Sequence, residues 1–430
     1  KSENQKREPS PFLFTHHYSP FTIIVMTRSE RRTVWLLALS HAMVHSYMLI
    51  FPVFLLPIIK EFSVGYFMAG LMGTISGVAF GLGALPAGVF VDRIGAKRLI
   101  VIYLVGAALS SIMVGISPSF FLLTSFLGVL GLSCSLFHPS GYALISSSIK
   151  DMGRAFGYVG AGGNIGLALT PLLVGHLASY LGWRAVFVLF SIPGLVLAVL
   201  TLKLKIGSPI QPSAISHQPS ATRQNADPHP GIAEGSLLTA PFFLLCLAYA
   251  FNGFTFQGAM TFLPAYLSQG VHRGLVRGDA VTAGGTLVSF ALIVGILGQY
   301  IGGRLGQGPR IERSLLAMVS LGVPFLTLMG LTSGYLLLLS AFGFAFFHFA
   351  NQPLLNVTIA KNTSVRFRGA GFGLAFFLAF GLGSFSAMFS GYVAELMGLS
   401  AVFFIMAVSM GLQALIILIL EIQRRSDLTD

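Results

Sequence analysis

The sequence predicts an all-α integral membrane protein with twelve transmembrane helices in two pseudo-symmetric six-helix bundles. Three observations carry this expectation. The 430 residues are 54% hydrophobic and only 9% charged, with a mean hydropathy of +0.81, whereas a soluble domain carries roughly 25% charged residues. Apolar runs long enough to cross a bilayer, roughly 20 residues of helix, recur twelve times between breaks of charge, Gly or Pro. The last six runs repeat features of the first six.

Residues 1–32 form a polar N-terminal tail. Residues 1–25 read as a tag or misassigned start ahead of Met26, and they lack the apolar core and cleavage site of a signal peptide. The first bundle, 33–204, holds spans at about 33–59, 66–91, 98–117, 119–147, 153–180 and 184–204. Residues 205–236 are rich in Ser, Pro, Gln and Asn, a composition that buries no core and reads as a flexible cytoplasmic linker. The second bundle, 237–422, holds spans at about 237–268, 280–303, 312–332, 334–360, 367–394 and 398–422. A short tail, 423–430, follows.

Charge placement supports this count. Basic residues gather in segments that alternate spans bring to one face: Arg28, Arg31 and Arg32; Arg93, Lys97 and Arg98; Lys150 and Arg154; Lys203, Lys205 and Arg223; Arg304, Arg310 and Arg313; Lys361, Arg366 and Arg368; Arg424 and Arg425. The other face holds only Lys60, Arg184, Arg273 and Arg277. The positive-inside rule makes the basic face cytoplasmic and puts both termini there. The expected location is therefore a cell's inner membrane. The net charge of +12 sits in loops rather than on a stripe with interleaved aromatics, so it marks topology and not a nucleic-acid partner. Cys134 and Cys246 lie singly in apolar runs, a placement that suggests neither a disulfide nor a metal.

The halves repeat each other. Leu181-Gly-Trp-Arg-Ala-Val-Phe187 aligns with Met397-Gly-Leu-Ser-Ala-Val-Phe403, and at the same offset Gly157 and Gly175 fall on Gly373 and Gly391. Phe137-His138-Pro139 falls on Phe347-His348-Phe349 in spans four and ten. Leu56-Pro57 falls on Leu263-Pro264, which sets His45 opposite Asn252 in spans one and seven. Internal repeats of this kind are the pattern expected of a transporter.

Ionisable groups at membrane depth are functional candidates by default because their burial is costly. No Asp, Glu, Lys or Arg lies near the middle of a span; apart from tyrosines, the titratable groups there are histidines. His41 and His45 stand at i and i+4, on one helix face, with Tyr47 close by. Such a pair suits proton sharing or binding of an anion when charged, since imidazole titrates near neutrality. A metal needs at least a third ligand; His138 is the candidate, and the structural alternative is that each imidazole simply bridges helices. Asn164 and, in the second half, Asn252, Gln257, His348, Asn351, Gln352 and Asn356 complete the polar set. Asn351-Gln352-Pro353 is expected to break span ten. No Walker-type glycine loop is present, and Ala42 stands where a metalloprotease His-Glu-x-x-His motif would place its Glu. No enzyme activity and no cofactor are expected.

Between spans two and three lies Gly88-Val-Phe-Val-Asp92-Arg93-Ile-Gly95-Ala-Lys97-Arg98. This string resembles the signature loop of the major facilitator superfamily, and its second copy around Gly303–Gly308 has lost the acid. Gly88 and Gly95 allow a tight hairpin, Arg93, Lys97 and Arg98 fix the cytoplasmic face, and Asp92 is expected to cap a helix and lock one arrangement of the halves. Gly131-Leu-Ser-Cys-Ser-Leu-Phe137-His138-Pro139, Gly160-Ala-Gly-Gly-Asn164-Ile-Gly-Leu-Ala-Leu-Thr-Pro171 and Arg368-Gly369-Ala-Gly371-Phe-Gly373 resemble the superfamily's fosmidomycin-resistance branch. Thr170 departs from it, standing where a glycine is expected. The resemblance implies alternating access and proton-driven efflux of a small organic molecule by a monomer, with the proton gradient as energy source. Two alternatives stay open: a proton-coupled symporter importing an organic acid, and a histidine-based metal-binding membrane protein.

Overall fold

The computed structural model describes residues 26–205, 240–271, 275–363 and 373–426, and every long element among them is a helix. The expectations above for residues 1–25, for 206–236, for Arg273 and for the Arg366–Gly371 stretch lie outside the described residues.

Span one starts at Arg28, a turn earlier than its apolar run. Thr27-Arg-Ser-Glu30 is a capping box: the Thr27 hydroxyl accepts the Glu30 N–H at 3.2 Å, and Glu30 accepts the Thr27 N–H at 2.8 Å. The helix stops at Val53 and resumes over Leu55–Phe62. Pro57 explains the break, because it has no N–H to donate to the Val53 carbonyl. Span four breaks in the same way, with helices at Phe120–Ser135 and Phe137–Ser148; Pro139 cannot donate to Ser135. Span ten behaves otherwise. The helix Gly334–Lys361 runs unbroken through Pro353, so the expected break at Asn351-Gln352-Pro353 is not there. The neighbouring carbonyls keep their own partners, and losing one ladder bond does not open the helix. The irregular span of the second half is span eleven, where a π-helical turn at Phe377–Leu382 precedes Phe385–Met397.

Eleven helices among the described residues are long and apolar enough to cross a membrane. The 52-residue helix Met152–Lys203 contains two crossings, because the backbone reverses at Gly182, whose φ of 74° and ψ of 163° suit only a residue without Cβ. That gives twelve. Large apolar side chains such as Leu39, Leu109, Leu173 and Leu336 stay exposed on outward faces, as a lipid-facing surface requires.

Spans one, three, four, five and six pack mainly with each other, as do seven, eight, nine, ten and twelve. The two halves meet where span five lies against eight and span two against eleven. All the hydrogen bonds that join the halves among the described residues lie toward the face remote from the Arg93–Arg98 loop. Thr74 Oγ1 donates to the Ser384 carbonyl at 2.8 Å and accepts the Met388 N–H at 3.0 Å. Ser289 Oγ accepts the Leu172 N–H at 2.8 Å, and Thr282 Oγ1 donates to the Gly175 carbonyl at 3.0 Å. At the basic ends of the same spans, Gly88, Gly157, Gly160 and Gly303 have no described neighbour within 4 Å of where a Cβ would stand. Among the described residues, the hydrogen bonds between the halves therefore gather at the remote face, and none is made at the basic face.

Candidate functional site

A cavity of about 270 Å³ lies between the halves. Its first-half wall comes from spans one, two, four and five, including His41, His45, Tyr47, Phe80, His138, Tyr142 and Asn164. Its second-half wall includes Tyr249, Asn252, Gln257, Gln299, Gln352 and Asn356, with Phe256, Phe376 and Phe380 between the polar groups. Among the described residues, no Asp, Glu, Lys or Arg lines it.

The imidazoles are placed by local sequence. His41 Nδ1 lies 2.8 Å from the Val159 carbonyl of span five. A carbonyl only accepts, so Nδ1 carries the proton and Nε2 keeps its lone pair. His45 Nε2 approaches that lone pair at 3.1 Å and therefore donates to it. His41 stacks on Phe137 at 5.0 Å and meets the His138 ring edge-on, also at 5.0 Å. The span four break turns Phe137 and His138 toward span one. Room for the His41 ring comes from Gly163, where an added Cβ would stand 2.5 Å from His41 Cε1. The Gly162-Gly163-Asn164 run thus has a concrete purpose: it admits the imidazole that span one presents.

His41, His45 and His138 each offer a ring nitrogen within 4.8 Å of the others, the one such group of potential metal ligands among the described residues. The His41–His45 hydrogen bond already occupies the lone pair that a metal would need from His41. A shared proton is the chemistry this arrangement serves directly. His138 Nδ1 is buried and has no partner.

The remaining sequence-predicted residues divide. Tyr47 lines the cavity, but its hydroxyl donates to the Phe190 carbonyl at 3.0 Å. Gln257 Nε2 donates to Ser384 Oγ at 3.2 Å. Asn351 is fully buried behind the wall and donates to Asn252 Oδ1 at 2.8 Å. His348, the repeat mate of His138, does not face the cavity either; it is fully buried among Phe256, Phe344 and Phe349 with both ring nitrogens unpaired. Sequence reasoning missed Tyr142, Tyr249 and Gln299. Tyr142 stands four residues after His138 and Tyr249 three before Asn252, so helical spacing alone places them on the same faces.

The loop motif lies at the basic face. Lys97 Nζ donates to the Leu202 and Leu204 carbonyls at 2.9 and 2.8 Å, tying the hairpin to the end of span six. Gly95 has a φ of 92° and is itself the N-cap of the span three helix, with no side-chain cap. Asp92 makes no hydrogen bond or ion pair among the described residues, and the span three helix starts without the side-chain cap expected of it. Arg93 and Arg98 enter no described ion pair.

The matched relatives are membrane transporters. A stretch of 135 residues is 27% identical to the Probable L-galactonate transporter of Escherichia coli, covering 30% of this chain and 29% of that protein. The Multidrug resistance protein Stp of Mycobacterium tuberculosis is 30% identical over 185 residues, 41% of this chain and 34% of that one. The Cis,cis-muconate transport protein of Acinetobacter baylyi is 23% identical over 250 residues, 57% of this chain and 60% of its own length. In each case the match spans less than two thirds of the relative. Among solved structures, a bacterial homolog of the human lysosomal transporter Spinster, in an inward-facing and occupied conformation, superposes with a TM-score of 0.76. It is 17% identical and covers 93% of this chain and 98% of its own. The model of the Major Facilitator Superfamily matches residues 34–388. The chain belongs to the Major Facilitator Superfamily.

Proposed function

We propose that this transporter moves a small organic anion together with protons, by alternating access, across an inner membrane whose cytoplasmic side is the basic face. The observation that carries this reading is the cavity wall, where three imidazoles, side chains of a type that exchanges protons near neutrality in water, stand together among the described lining residues. Their charge decides the direction of coupling. An imidazolium and a carboxylate about 4 Å apart attract by about 4 kcal/mol at an effective dielectric of ~20. Proton and anion then strengthen each other's binding by the same factor, because coupling is reciprocal. Ligands that bind cooperatively at one alternating site travel the same way, which is symport. A cationic substrate would reverse the sign, and mutual exclusion would make the protein an antiporter.

The absence of any carboxylate among the described lining residues favours the anion. The organic-acid names among the relatives support it, and a cavity of about 270 Å³ suits a small solute. His41 and His45 share the proton, His138 extends the pair, and the neutral polar groups opposite orient the substrate. The protein works as a monomer in lipid. Efflux of a lipophilic compound against protons is the second reading. The Stp match, the fosmidomycin-resistance resemblance and the Phe256–Phe376–Phe380 surface favour it. Uptake of radiolabelled organic acids into proteoliposomes under an inward proton gradient separates the two. Symport gives accumulation driven by internal alkalinity, while antiport gives none.

A further inference from the structure

The two walls of the cavity differ in what they can recognise. Asn252 Oδ1 is taken by Asn351, and Asn356 Oδ1 accepts the Tyr249 hydroxyl. Both residues line the cavity, and their amide N–H groups have no described partner. On the same cavity, Gln299 Oε1 is buried without any partner. The second-half lining therefore offers both N–H donors and a stranded acceptor. A hydroxyl answers both, since it accepts and donates at once. A carboxylate answers only the donors, and would set its lone pairs against Gln299 Oε1 with no cation among the described lining residues on that side. The facing wall has the opposite character: His41, His45 and the unpaired His138 Nδ1 supply positive charge when protonated.

We infer that the site selects hydroxylated monocarboxylates, with the carboxylate on the imidazole wall and the hydroxyl-bearing end on Gln299, Asn252 and Asn356. This rests on the reading of the cavity as an organic-anion site. An aliphatic acid of equal length leaves Gln299 Oε1 stranded. A dicarboxylate buries a second charge against neutral amides, which is costly. A polyol lacks the charge that the imidazoles bind.

The test is calorimetric titration of the purified full-length protein in detergent at pH 6, with four- to six-carbon aldonates, hexanoate, adipate and sorbitol. The best aldonate is expected to bind about tenfold or more tighter than hexanoate or adipate, the scale of leaving one buried acceptor unmet. Sorbitol is expected to bind no better than hexanoate. Gln299→Leu is expected to remove most of the aldonate advantage, with hexanoate binding at least as tightly as to the wild type because it no longer strands an acceptor; that hexanoate binding also reports that the variant is folded, and Gln299→Met serves if the leucine variant is unstable. Equal binding of aldonates and hexanoate, or an aldonate advantage that survives both variants, overturns this inference and leaves the anion reading standing. Binding of sorbitol but of none of the acids overturns both. Binding of none of these compounds overturns the inference.

Discussion

Gly163→Ala puts the placement of the imidazole pair to a direct test. The new methyl would stand 2.5 Å from His41 Cε1 and 2.6 Å from Nδ1, well inside contact distance. The ring has little freedom to yield, since it stacks on Phe137 at 5.0 Å and is held to the Val159 carbonyl at 2.8 Å. Overpacking costs about 1–3 kcal/mol, and stranding a buried hydrogen-bonding group costs about 1–3 kcal/mol. Together they give about 2–6 kcal/mol before the helices relax. If even ~1.4 kcal/mol of this falls on the geometry that shares the proton, coupled transport drops about tenfold. Gly157→Ala, in the same span, is the control: nothing described lies within 4 Å of its added Cβ. The assay is proton-driven uptake in proteoliposomes beside a thermal melt of each variant. Gly163→Ala is expected to lose transport and stability while Gly157→Ala keeps both. If the two variants behave alike, His41 is not held as described, and the account of the pair fails.

Further expectations follow from other contacts. Glu395 of span eleven accepts the Phe67 N–H at 3.0 Å, capping the first turn of span two across the halves. Glu395→Ala should loosen the remote-face closure and raise labelling of a cysteine introduced there by a few-fold, the scale of a lost cap; unchanged labelling would refute a latch role. At the same face, partial burial works to raise the Glu61 carboxyl, but hydrogen bonds from Arg184 and Trp183 and the charge of Arg184 outweigh it and hold it below its ordinary value. A depressed carboxyl stabilises the fold above its unfolded pKa and loses that contribution as pH falls through the lowered value. The melting difference between wild type and Glu61→Gln should therefore be present at pH 7 and close in acid; a difference that persists in acid refutes the ionic contribution. Finally, His348→Phe removes two unpaired buried nitrogens from an aromatic cluster. It should leave transport intact and raise stability by about 1 kcal/mol, and loss of proton-coupled uptake would give His348 a role that its placement does not supply.

The twelve spans were legible because hydropathy and charge placement depend on the bilayer, which acts on every span alike. The break in span four was legible in principle from Pro139, and the early start of span one from Thr27 and Glu30. The rotation of each helix was not. In a membrane protein, the lipid-facing and bundle-facing sides are both apolar, so the sequence does not say which way a polar residue turns. Repeat symmetry paired His138 with His348, yet one stands on the cavity wall and the other behind Phe256. The His41/His45 spacing fixed that those two share a face, while the approach of His138 depended on tertiary packing and on the turn at Leu136. At Gly163 the sequence shows only one glycine in a glycine-rich run, because the His41 ring that it admits comes from another span.

The central claim is that proton and organic anion move together through the histidine-lined cavity. The most direct measurement follows internal pH and labelled organic acid simultaneously in proteoliposomes of defined orientation, for wild type and for His41→Ala/His45→Ala. The account predicts proton entry in fixed ratio with acid entry, both abolished in the double variant. Acid moving without protons, protons moving opposite to the substrate, or unchanged coupling in the double variant would contradict it.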